Sequence, residues 1–114
     1  MIDHVRPAQL AAWLAAAPQG SAPLVLDVRE PWELQTASVA APEGFEVVAI
    51  PMGQLPERVA ELDRTRPVAC LCHHGMRSLR VANFLEHQGF EQVANITGGI
   101  DAWSGELDPA VPRY

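Results

Sequence analysis

The residues best suited to chemistry stand together in Cys70-Leu71-Cys72-His73-His74-Gly75-Met76-Arg77-Ser78. The apolar run Pro67–Leu71 leads in and a helical pattern, Ser78–Glu86, leads out. That order predicts a strand, a tight loop and a helix. Cys72 then falls at the carboxyl end of the strand, just before a helix amino terminus. Free N–H groups and the positive end of the helix dipole gather there, and they favour the thiolate, which is the nucleophile. His73, His74 and Arg77 add donors and positive charge. Gly75 lets the backbone turn tightly with its amides facing inward. The pattern predicts a nucleophilic Cys72 in an anion-binding loop made by His73, His74, Gly75, Met76, Arg77 and Ser78. Cys70, inside the apolar run, is expected to be a small core hydrophobe.

The elements that must hold this loop follow from the rest of the chain. Ile2–Val5 suits a short edge strand. Pro7 opens a helix over 8–17 with Leu10, Trp13 and Leu14 on one face, Trp13 serving as a core anchor. Pro23–Arg29 is a continuous apolar run, as in a strand buried on both faces, with Asp27 and Arg29 at its carboxyl end. In open α/β sheets ligands bind at that end. Asp27 either caps the helix that Pro31 begins or braces the loop by pairing with an arginine, since a buried carboxylate requires partners. A short helix over Glu30–Gln35 leads to a loop over 36–46, broken by Pro42 and Gly44. Val47–Ile50 is a third buried strand. Met52–Leu62 carries Leu55, Val59 and Leu62 at helical spacing, with Pro56 early enough to be tolerated. After the loop, Val81, Ala82 and Leu85 face inward and Gly89 ends the helix. Phe90–Ile96 holds the last strand, Gly98–Trp103 begins a final short helix, and 108–114 is a loosely held tail. This alternation predicts one α/β domain over 1–114: a parallel five-stranded sheet, one strand a short edge, with helices on both faces.

A chain of 114 residues with 48% hydrophobic content can fill one core. No apolar run approaches the ~20 residues that span a bilayer, and no secretory signal is expected in the first residues. The net charge of −6 argues against nucleic acid as a main partner. All eight basic residues other than histidine are arginine, which excludes a Schiff-base lysine. Two cysteines spaced Cys-x-Cys do not make a secreted disulfide framework; reduced thiols in a cytoplasmic protein are expected.

Four segments together resemble the single-domain rhodanese-like sulfurtransferases. Cys72–Ser78 resembles that family's active-site loop, and Leu26-Asp27-Val28-Arg29-Glu30-Pro31-Trp32-Glu33 its first marker. Ala49-Ile50-Pro51-Met52-Gly53-Gln54-Leu55 resembles its strand-to-helix segment, and Thr97-Gly98-Gly99-Ile100-Asp101-Ala102-Trp103 its carboxyl-terminal marker. The chain departs from the family where a Gly-His-Ile sequence usually stands: here it is Ala37-Ser38-Val39, followed by a longer connection. The resemblance implies transfer of a sulfane sulfur from a donor such as thiosulfate, through a Cys72 persulfide, to cyanide, a thiol or a protein. It implies no cofactor, and a monomer or weak homodimer without membrane or nucleic-acid contacts. It also implies a structural role for Asp27 and Arg29, and for Arg77 either contact with the donor or an ion pair with Asp27.

Three other readings compete. A cysteine-dependent phosphatase has one residue more between its cysteine and arginine than the four, His73 to Met76, that intervene here. The shorter loop makes a cradle better suited to one sulfur than to phosphate. A metal site built from Cys70, Cys72, His73 and His74 is not expected, because the loop would aim its backbone at Cys72 rather than both imidazoles. A sulfur-carrier or regulatory module would keep the same loop and act on a protein partner.

Overall fold

Leu24, Leu26, Val68 and Cys70 face one core, while Val25, Ala69 and Leu71 face another. Successive residues of a strand point to opposite faces, so strands patterned this way need cover on both sides. The computed structural model describes residues 2–17, 22–37 and 46–111. Its strands are β1 (Asp3–Val5), β2 (Leu24–Asp27), β3 (Glu46–Ala49), β4 (Val68–Leu71) and β5 (Val93–Ile96). They form one parallel sheet in the order β1-β5-β4-β2-β3. The helices are α1 (Pro7–Ala15), α2 (Pro31–Thr36), α3 (Leu55–Arg58), α4 (Met76–His87) and α5 (Gly99–Glu106). α3 and α4 supply Leu55, Val81, Ala82 and Leu85 to the first core; α1 and α5 supply Leu10, Leu14, Ile100 and Trp103 to the second. The five-stranded parallel α/β sheet with helices on both faces is thus the architecture of the chain.

The strand order decides where a site can form. The chain leaves β2 toward β3 on one side and leaves β4 toward β5 on the other. Neighbouring strands whose connections depart in opposite directions leave a crevice at their carboxyl ends. Asp27 ends one of the two strands that flank it, and Cys72 follows directly on the other.

Four local expectations change. The helix expected over 52–62 is split into 3-10 turns at Met52–Gln54 and Val59–Glu61 around α3. Pro56 has no N–H to give the carbonyl of Met52, and the chain closes tighter turns instead, with Gln54 N donating to Pro51 O at 2.9 Å and Leu62 N to Val59 O at 3.0 Å. α4 begins at Met76, two residues earlier than its apolar pattern, because the left-handed Gly75 (φ 102°) sets its start. The segment expected to be loose from 108 is packed down as far as Val111, which is buried and whose carbonyl accepts from Ser104 Oγ at 2.7 Å. Val47–Ile50, expected as a buried strand, falls largely in the outermost strand β3, whose Glu46 and Ala49 are exposed and whose Val47 and Val48 are half-buried, because no strand pairs beyond it among the described residues. Trp13 packs on the second core as expected, half-buried, its indole N–H donating to Asp3 at 2.8 Å. Most of the loop expected over 36–46, including Ser38 and Val39, lies outside the described residues. Among the described residues no helix is long and apolar enough to cross a membrane.

Candidate active site

Cys72 stands one residue beyond β4, and 1% of its surface is exposed. The Gly75 N–H donates to its Sγ at 3.0 Å, and Ser78 Oγ lies 3.3 Å from the same sulfur. Ser78 in turn donates to Asn95 Oδ1 at 2.5 Å, and Asn95 Nδ2 donates to the Gly75 carbonyl at 3.2 Å. The sulfur therefore lies under its loop, within a ring of hydrogen bonds that returns to the loop.

The loop takes this shape because α5 holds it from outside. Ile100 N donates to Cys72 O at 2.8 Å and Asp101 N to His73 O at 3.2 Å. These are unsatisfied amides of the first turn of a helix, and two loop carbonyls satisfy them. A peptide N–H points opposite to its carbonyl, so the N–H groups of His73 and His74 are aimed away from α5. Gly99 makes the close approach possible: a Cβ there would stand 2.3 Å from Cys72 O. Gly75 is less tightly confined, a Cβ on it meeting Gly98 N at 3.1 Å, but its φ of 102° favours glycine.

Of the other loop residues, His73 is half-buried and His74 exposed, with their rings stacked at 3.9 Å between centroids. Met76 is 71% exposed at the rim. Cys70 is fully buried behind Cys72, and burial, with the nearby Cys72 adding to it, pushes its thiol far up. Both cysteines are free thiols. Among the described residues no three His, Cys, Asp or Glu side chains converge as a metal ion would require.

The two arginines divide differently from the implied pairing of Arg77 with Asp27. Asp27 is taken by Arg29, whose Nε and Nη2 donate to it at 2.9 and 2.7 Å with both residues buried. That two-pronged contact, plus the Arg29 amide at 3.2 Å, occupies the carboxylate. Arg77 instead reaches Glu33 in α2, with Nη1 and Nη2 at 2.5 and 2.8 Å from its two oxygens. Glu33 is 2% exposed and also accepts from the Glu30 amide at 3.1 Å. Its carboxylate ties the first turn of α2 to the first turn of α4. Arg77→Ala removes one half of this pair and leaves Glu33 buried; Arg77 itself is partly exposed, so a loss of about 2 kcal/mol is expected. Urea unfolding of the two proteins at one pH measures it.

Two members of the site are absent from the expectations drawn from sequence. Glu33 sits three residues after the cap of a helix that follows β2, a position where an acid reads simply as a capping residue. Asn95 carries a clearer signal: it is a polar side chain in an otherwise apolar strand covered on both faces, and such a group needs a buried partner.

Comparison with known proteins gives the family of the chain. The family described as "Rhodanese-like domain" matches residues 10–106, and the chain belongs to it. The "Rhodanese-like/PpiC domain-containing protein 12, chloroplastic" of Arabidopsis thaliana is 43% identical over 94 residues, 79% of this chain. The chain spans only 30% of the length of that relative. The "Thiosulfate sulfurtransferase GlpE" of Vibrio cholerae is 36% identical over 102 residues, covering 90% of this chain and 91% of GlpE. Among solved structures, a rhodanese-related protein from Thermoplasma volcanium superimposes with a TM-score of 0.75 at 33% identity, over 98% of this chain and 99% of that one.

Proposed function

We propose that the chain is a sulfurtransferase that carries a sulfane sulfur on Cys72. The Gly75 amide bonded to the Cys72 sulfur at 3.0 Å is the observation that carries this reading. A backbone donor held there stabilises negative charge on sulfur without having to reorganise during the reaction. The Cys72 thiolate attacks the outer sulfur of thiosulfate. The S–S bond of the donor breaks, sulfite leaves with its electron pair, and Cys72 holds a persulfide. A nucleophilic acceptor then attacks the terminal sulfur and the thiolate returns, a double displacement through a covalent intermediate. The likeness to GlpE supports thiosulfate as donor, and two free thiols suit a reducing compartment. The Cys72 peptide is expected to gain the mass of one sulfur atom when the protein meets thiosulfate, and to lose it to cyanide as thiocyanate. No gain, or a gain on Cys70, would overturn the reading.

A second reading keeps this chemistry but makes the physiological acceptor a protein, as for a carrier. Exposed apolar side chains favour it: Met76 at the loop and Trp32, 61% exposed, lie beside the two ends of the Arg77–Glu33 bridge. Met76→Ser leaves transfer to cyanide unchanged and slows transfer to a protein thiol if that surface receives the acceptor.

A further inference from the structure

The ring of hydrogen bonds around Cys72 has a direction. The Gly75 carbonyl can only accept, so the Asn95 group 3.2 Å from it must be the amide nitrogen. The amide oxygen is thereby turned to Ser78. An oxygen of that kind can only accept, so Ser78 gives its single proton to Asn95, over 2.5 Å. Only lone pairs of the hydroxyl are left to face Cys72 Sγ, 3.3 Å away. In this arrangement Cys72 is the donor and Ser78 the acceptor, which suits a neutral thiol. A charged sulfur has no proton to give and needs the hydroxyl turned round.

We propose that Asn95 is a positioning residue that holds the Ser78 proton away from Cys72 in the resting protein and releases it when the sulfur becomes charged. Rotation of one hydroxyl then adds a second donor to the Gly75 amide. Buried networks of this kind are sensitive to each member, because all three side chains are shielded from water, Ser78 at 0%, Cys72 at 1% and Asn95 at 4% exposure. No bond between heavy atoms is made or broken in the step: the thiol proton leaves through the 1% of Cys72 that is open to solvent, and the hydroxyl turns. The inference rests on Cys72 as the nucleophile, but not on what it attacks.

Four proteins test it: the parent, Ser78→Ala, Asn95→Leu and the double variant. The readout is the pH midpoint of Cys72 alkylation, followed on fragment ions that separate Cys72 from Cys70, two residues away on the same peptide. Losing the Asn95 acceptor frees the Ser78 proton for sulfur, so Asn95→Leu is expected to give about tenfold more thiolate with Ser78 present than it does in the Ser78→Ala background. Any loosening of Gly75 by Asn95→Leu acts in both backgrounds and cancels. The other titratable and charged groups around the loop, namely Cys70, His73, His74, Arg77 with Glu33, Asp101 and the Asp27–Arg29 pair, are the same in all four proteins and cancel likewise. A side chain that only packs lowers the unfolding midpoint and shifts alkylation equally in both backgrounds; that result overturns the proposal. If Asn95→Leu does not fold, Asn95→Ala takes its place in the same cycle under the same criterion. Coupling without sulfur loading would leave this inference standing and overturn the proposed function, and loading without coupling would do the reverse.

Discussion

Cys72→Ser is expected to abolish sulfur loading, with a fall of about 10³-fold or more, to the level of uncatalysed exchange. A serine hydroxyl keeps the size of the group but not the chemistry: it is scarcely ionised at neutral pH and forms no persulfide. The control is Cys70→Ala. Cys70 lies two residues away on the same face and shares the same core cluster, so a general effect of losing a thiol there would show in both variants. Cys70 is fully buried and its thiol is held protonated by burial. Its removal opens a small cavity and is expected to cost about 1 kcal/mol of stability, while loading remains near that of the parent. Mass spectrometry after exposure to thiosulfate reads both variants in one experiment. Equal loss in the two would show that Cys72 has no special role.

Gly99→Ala is the second large effect, and it acts at a distance from the sulfur. Gly99 has φ of 60°, and an added Cβ would stand 2.3 Å from Cys72 O, 2.5 Å from His73 O and 2.6 Å from His73 C. All three are backbone atoms, so no side chain can swing aside. Either α5 moves out or the loop moves in. Both break the bonds from Ile100 and Asp101 to the loop carbonyls that set its peptide directions. A loss of about 4 kcal/mol or more is expected. In the fraction that still folds, misplacement of the Gly75 amide is expected to slow loading on the order of 10²-fold. Gly53→Ala is the matched control: that glycine has nothing within 4 Å of a Cβ and no left-handed φ. Thermal unfolding and loading rates are expected to change little there. A Gly99→Ala protein as stable and active as Gly53→Ala would show that α5 does not shape the loop.

These variants also separate what is local in the chain from what is not. The parallel sheet is legible in sequence because Pro23–Arg29 and Pro67–Leu71 are apolar on both faces, and strands of that kind belong between layers of helices. The equally apolar Val47–Ile50 gives no sign that its strand lies at the edge. Cys72 is legible because strand, loop and helix follow one another without a gap, so local geometry alone places the thiol near free amides. The pattern over 52–62 misleads because its apolar spacing is kept by short α and 3-10 turns as well as by one continuous helix.

Partners distant along the chain are a different matter. Which acid meets Arg77 depends on how α2 lies against α4, 44 residues apart in sequence, and two carboxylates near the end of β2 are equally placed by spacing. The run from Val93 to Ile96 says that Asn95 needs a buried partner, but not that the partner is Ser78 until β5 is set beside β4. The residues near in sequence thus determined the fold class and the placing of Cys72 just before a helix amino terminus, since periodicity and helix termini are short-range properties. Tertiary structure alone decided which buried polar groups answer one another, because a buried charge or amide must find its partner wherever the packing of the elements brings one within about 3 Å.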